Sequence, residues 1–246
     1  MMAPRLTHRE EDVLEGGQSM RRIAILAEGR FNWQAAKTAV GVLRYTTDTV
    51  VAVIDSTTAG RDAAEVLGDA NGPGKGVPVV RDVAEALTYG PDALLIGIAP
   101  AGGRLPTEWR GEVLAAIAAG LTIISGLHHL LGDDPELAEA ARQHNAVIWD
   151  VRRPPESLAM RINMASPHRA GSHVVYFCGT DCNVGKMTAS IELDREARRR
   201  GLSSAFAATG QTGIMISGRG IPRRPLHQRL LGGRGRRHDA GVRRRE

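Results

Sequence analysis

The chain has 246 residues, with 32 Lys and Arg against 27 Asp and Glu and 42% hydrophobic content. That apolar share supports a packed core and excludes a disordered polymer. No apolar run reaches the ~18–20 residues that span a bilayer, the polar first twenty residues lack a signal-peptide core, and Cys178 and Cys182 build no disulfide framework, so a cytoplasmic globular protein is expected.

Residues 1–20 show no sustained period and are expected to be disordered. From Arg22 the pattern alternates. IAILAEG (23–29), TVVAVIDS (49–56), VPVV (77–80), DALLIGIA (92–99), LTIISGLHHL (121–130) and AVIWDV (146–151) read as buried strands. Between them, 33–45, 61–68, 81–90, 107–120 and 134–145 read as helices. Asp82 and Thr107 are expected N-caps, and Asp134-Pro135 pairs an N-cap with an N1 proline. Apolar strands alternating with helices predict a Rossmann-like, doubly wound parallel α/β sheet over 21–151. Residues 152–172 hold three prolines and read as a linker.

A second α/β unit, P-loop NTPase-like, is expected over 173–222. HVVYFCG reads as a strand, and Gly179 and Gly185-Lys186 bracket a glycine loop that opens a long helix. This is the context of a P-loop, in which backbone N–H groups and a helix N-terminus face a phosphate. Gly179, Thr180, Asp181, Cys182, Asn183, Val184, Gly185, Lys186, Met187 and Thr188 are the expected cofactor-binding residues. Met187 stands where a P-loop places the Ser or Thr that ligates Mg²⁺. Such a loop suits any phosphorylated cofactor, the diphosphate of coenzyme A included. A second strand, Ala205 to Ala208, runs into a loop of Thr209, Gly210, Gln211, Thr212 and Gly213, expected to bind substrate together with Glu28 and Asp55 at the N-terminal strand ends.

His128, His129 and Asp181 are the candidate catalytic groups, the histidines as general bases toward an amine. Lys37 reads either as a surface residue or as a contact for an acidic substrate. No metal site is expected. Cys182 in the loop is a further nucleophile candidate. The G-x-G-x-x-G dinucleotide fingerprint is absent. Residues 223–246 hold nine Arg and two acids, a net of +7, which leaves −2 on the rest of the chain. The tail carries no Lys and no aromatic, so nucleic-acid binding is not favoured. It reads as an out-of-frame or truncated end to the P-loop unit.

GTDCNVGKMT and ATGQTGIMISGRGIP, with RRIAILAEGRFN, KTAVGVLRY and VVAVIDSTTAG, resemble a bacterial domain-of-unknown-function family. That family has a Rossmann-like N-domain and a P-loop C-domain, and it includes D-glutamate N-acetyltransferases. The likeness covers about residues 21–222. It implies transfer of an acetyl group from acetyl-CoA to the amine of an acidic D-amino acid. The GTD–VGK string is also similar to dethiobiotin synthetase, which implies an alternative: a ligase or kinase using ATP with Mg²⁺. A non-enzymatic nucleotide- or nucleic-acid-binding protein is the third reading. A small-molecule substrate and a homo-oligomer are expected.

Overall fold

The computed structural model describes residues 20–153, 171–180, 184–218 and 220. The N-terminal stretch 1–19, linker residues 154–170, Asp181, Cys182, Asn183 and the Arg-rich tail lie outside the described residues.

Six short strands form one sheet: β1 (Arg22–Leu26), β2 (Thr49–Ile54), β3 (Val79–Val80), β4 (Ala93–Ile96), β5 (Thr122–Ser125) and β6 (Ile148–Asp150). The order is β3-β2-β1-β4-β5-β6 and every pairing is parallel. This is the order of a dinucleotide-binding Rossmann sheet, with a crevice where the winding reverses between β1 and β4. Ile23, Ile25, Leu26, Ile54, Leu94, Leu95, Ile96, Ile123 and Ile124 are buried, as strands covered on both faces must be.

The helices between the strands are α1 (Lys37–Tyr45), α2 (Ala63–Val66), α3 (Val83–Leu87), α4 (Arg110–Ala118) and α5 (Pro135–Gln143). Right-handed crossovers put α1 and α2 on one face and α3, α4 and α5 on the other. On that second face, α3 packs on α4 and α4 on α5. Three of these helices are capped by aspartate. Asp62 accepts from the Ala64 amide, Asp82 from Glu85, and Asp134 from Glu136 and Leu137 ahead of an N1 proline. Buried Asp150 at the end of β6 accepts from the Leu131 and Gly132 amides. Burial raises its carboxyl above the usual range while those two amides pull it back.

Two expectations shift here. Residues 33–36 precede α1 instead of belonging to it, because Asn32 draws the Gln34 and Ala35 amides into a turn first. Thr107 caps nothing. It opens a 3₁₀ turn, Thr107–Trp109, and Trp109 precedes α4. The Trp109 ring, 1% exposed, makes that turn part of the core.

The C-terminal region departs further. It contains α6 (Lys186–Arg199) and α7 (Gln211–Ser217). The expected strand at 173–179 is extended chain without a ladder, and Val174, Val175 and Tyr176 are 64–70% exposed. The expected strand at 205–208 is reduced to one parallel bridge, Ala208 to Gly220. A strand exists only through a partner, and no neighbouring strand among the described residues offers its N–H and C=O groups to either segment. The expected loop 209–213 is helical from Gln211 onward. No helix among the described residues is long and apolar enough to cross a membrane.

The Arg110–Asp134–Glu136 cluster ties α4 to the start of α5, with Arg110 Nη2 at 2.7 Å from Asp134 Oδ1. The Arg110 guanidinium is the main reason that Asp134 titrates at about 2 and not 3.8. A carboxyl depressed on folding stabilises above its unfolded value and loses that contribution as pH falls toward the folded one. Asp134→Ala therefore removes the cap at neutral pH, costing about 0.5–2 kcal/mol, or roughly 1–8 °C in Tm. Thermal melts of both proteins check this: the gap is full at pH 7 and closes as pH approaches 2. A gap that stays constant from pH 7 to 2 overturns the assignment.

Candidate functional site

In a parallel sheet the strand C-termini and the following helix N-termini lie on one edge. On that edge Asp55 is the residue after β2. It is 1% exposed and both its oxygens are engaged: Oδ1 accepts from the Gly29 and Thr57 amides and the Thr57 hydroxyl, Oδ2 from the Phe31 amide at 2.9 Å. Glu28 accepts from the amide and hydroxyl of Ser56. Both carboxylates, expected as substrate ligands, thus brace the loop between β1 and α1.

Beside α1 and past β5, the edge is covered by the chain itself. Helix α7 lies against α1, with Ile214, Met215 and Ile216 buried. Two glycines permit this approach. A Cβ on Gly41, in the middle of α1, would meet the Thr212 methyl at 3.0 Å. One on Gly126, past β5, would meet Gln211 Cγ at 2.8 Å. Polar pins complete the docking. Thr38 Oγ1, in the first turn of α1 and 4% exposed, lies 3.1 Å from Thr212 Oγ1. Arg152, just past β6, donates to the Gly126 carbonyl at 2.7 Å and to Gln211 Oε1 at 2.6 Å. Gln211 and Thr212 therefore sit at the edge expected of them, but their polar atoms hold α7 in place.

Helix α6 runs alongside α1 in the same direction. Met187, in its first turn, lies 3.6 Å from the Cβ position of Gly41, and Arg195 stacks on the Tyr45 ring at 4.8 Å. Both N-termini consequently open on the same side. Between them is a cleft of about 270 Å³, lined by Lys37, Gly185, Lys186, Met187, Thr188 and Thr212. Lys37 is the first residue of α1 and Lys186 the first of α6; neither first turn contains an acid, and neither helix has a side-chain N-cap. Gly185 holds φ +84°, the left-handed turn that swings the loop into α6. Gly179 lies close to the Lys186 stem, where a Cβ would come within 3.0 Å of its Cδ. Five residues separate Gly179 from Gly185, one more than the four of the common G-x-x-x-x-G-K spacing.

The cleft thus joins two lysines, two threonines and the first turn of an uncapped fourteen-residue helix, without a carboxylate among the described residues of its wall. Such a wall favours anions, and phosphate in particular. Met187 turns its thioether onto the apolar contact with α1 and offers no hydroxyl. Thr188, one position later, lines the cleft and has a hydroxyl.

The other candidates fall elsewhere. His128 and His129 are exposed, their amides bonded to the Gly103 carbonyl, and neither lines the cleft. Thr180, Val184, Thr209 and Gly210 are exposed, and Gly213 is buried under Phe206 and Ala208. Cys178 is an exposed free thiol. Asp181, Cys182 and Asn183 lie outside the described residues. No group of His, Cys, Asp and Glu able to hold a metal ion occurs among the described residues. Thr38, Gly41, Gly126 and Arg152 have no place in the sequence reading; a glycine in the centre of an otherwise strong helix, KTAVGVLRY, is the signal that could have found one of them.

Residues 56–154 match the family described as Domain of unknown function (DUF1611_N) Rossmann-like domain. Residues 161–228 match its companion, Domain of unknown function (DUF1611_C) P-loop domain. A crystal structure of a DUF1611 family protein from Anabaena variabilis superposes with a TM-score of 0.66 at 36% identity, covering 82% of this chain and 57% of that one. Two curated relatives are named D-glutamate N-acetyltransferase. The one from Tritonibacter scottomollicae is 39% identical over 138 residues, and the one from a Pseudoalteromonas species 34% over 139. Each alignment covers 56% of this chain, which spans 40–41% of those relatives' length.

The docking of α7 can be loosened at one position. Gly41→Val adds bulk where only hydrogen fits, at a cost of about 1–3 kcal/mol concentrated on the α1–α7 contact. The expected result is faster hydrogen exchange at the Ile214–Ile216 amides, by roughly 5- to 150-fold, with the strand amides of β1 and β4 still protected. Unchanged exchange in α7 would show that Gly41 is not the seat of the contact.

Proposed function

The chain belongs to the DUF1611 family, with its Rossmann-like N-terminal and P-loop C-terminal domains, and from that membership we propose that it is an N-acetyltransferase of an acidic D-amino acid. The curated relatives' names support the reaction class and the acceptor, D-glutamate. The observation that carries the reading in this chain is the lysine-lined cleft between the N-termini of α1 and α6, which has no acid among its described residues.

Acetyl-CoA supplies the activated acetyl thioester when bound. Gly185 and the first turn of α6 would hold its phosphates. The α6 amides lack a side-chain cap, Lys186 contributes a charge, and Thr188 a hydroxyl. Met187 shields that wall from the side of α1. The cationic surroundings also favour an acceptor amine in its neutral, nucleophilic form, because an ammonium is repelled by Lys37 and Lys186. Among the described residues no carboxylate or imidazole lines the cleft to take the amine proton, and Asp181 is the nearest candidate in sequence.

The alternative, a P-loop enzyme using ATP with Mg²⁺, draws on Thr188, a cleft-lining hydroxyl residue one place after the usual position. Calorimetric titration of the full chain with acetyl-CoA, coenzyme A and ATP, each with and without Mg²⁺, separates the two. Acetyl-CoA binding without need of Mg²⁺ is expected. Lys186→Ala should weaken it about 10- to 150-fold, the worth of one charge-assisted contact. Met187→Ser should not make it depend on Mg²⁺. Strict Mg²⁺ dependence, with ATP strengthened by Met187→Ser, would overturn the acetyl-donor reading.

A further inference from the structure

We infer that Lys37 binds a carboxylate of the amino-acid acceptor, across the cleft from the phosphate-holding wall; this rests on the acetyltransferase reading above. Lys37 and Lys186 line the same cleft from two different helices. Lys37 is exposed, and no acid among the described residues pairs with it. A lysine as the first residue of a helix sits against the positive end of the helix dipole, so its position disfavours α1. An anion bound at Lys37 offsets that penalty, and a carboxylate of the acceptor supplies one across the cleft from the wall proposed for the cofactor phosphates.

The α1 wall is not a second phosphate cradle. Its Ala39 amide already donates to the Gly97 carbonyl, Ala36 donates to Asn32, and the Gln34 and Ala35 amides are taken by the Asn32 side chain. What remains there is chiefly one compact ammonium, suited to a carboxylate. Its position is set from behind. Thr38, the next residue, is buried and bonded to Thr212, which ties the first turn of α1 to α7 at the rim of the cleft.

Calorimetry on the full chain with D-glutamate and with coenzyme A, each as a separate titrant, tests the assignment. Lys37→Met should weaken D-glutamate about 10- to 150-fold and leave coenzyme A within about twofold, whereas Lys186→Ala should do the reverse. Lys37→Arg, which keeps the charge, should retain most of the D-glutamate affinity. Unchanged D-glutamate binding in Lys37→Met overturns the proposal, as does a loss of coenzyme A affinity equal to that of Lys186→Ala. A wild type that binds D-glutamate through Lys37 but ignores coenzyme A sinks the acetyl-donor reading and leaves the carboxylate site standing. A wild type that binds neither overturns both.

Discussion

The docking of α7 against α1 and the Gly126 turn past β5 is the contact on which the site depends. A six-stranded parallel sheet in the order β3-β2-β1-β4-β5-β6 has its crevice between β1 and β4 at the C-terminal edge. In a dinucleotide-binding domain a ligand fills it. Here the chain packs its own helix along that edge, and Ile214, Met215 and Ile216 supply the apolar surface. The glycine fingerprint for a pyrophosphate is accordingly absent from the β1–α1 turn, where Asp55 and Glu28 hold the loop together instead. The phosphate site proposed here lies instead at α6, whose first turn meets α1 through Met187.

Charge placement follows the same division of labour. Three helices away from the cleft, α2, α3 and α5, begin with aspartates that satisfy their first amides. The two helices that open on the cleft begin with lysines and have no side-chain caps. Capped helix ends are stable without a ligand. Uncapped ends beside lysines gain most when an anion arrives. The parallel arrangement of α1 and α6, set by Met187 at Gly41 and Arg195 on Tyr45, adds a second positive end to the first.

The C-terminal region shows what patterning cannot guarantee. HVVYFC has the composition of a buried strand, and Val174, Val175 and Tyr176 are nonetheless exposed. Composition states which residues would gain from burial; a ladder also requires a neighbour with matching N–H and C=O groups, and none among the described residues provides it. In 21–151 every apolar run has such a neighbour, and there each expected strand is present.

Local pattern by itself determined the six strands of the N-terminal sheet, their alternation with helices, the aspartate caps at Asp82 and Asp134, and the glycine loop that ends in Lys186. These features depend on neighbours in sequence: a period of two or 3.6, a cap one residue ahead of its helix, a glycine at positive φ. Tertiary structure alone decided the roles of Asp55, Glu28, Thr38, Gly41, Arg152 and Lys37. Asp55 and Glu28 read as ligands because they end strands, yet burial and the amides of a loop some 25 residues distant claim their oxygens. Lys37 reads either as a surface residue or as a contact for an acidic substrate, and local pattern does not choose between them. It becomes part of a site because α6, almost 150 residues later, starts beside it, and the approach of two helices separated that far in sequence is fixed by packing at Gly41, which no local pattern records.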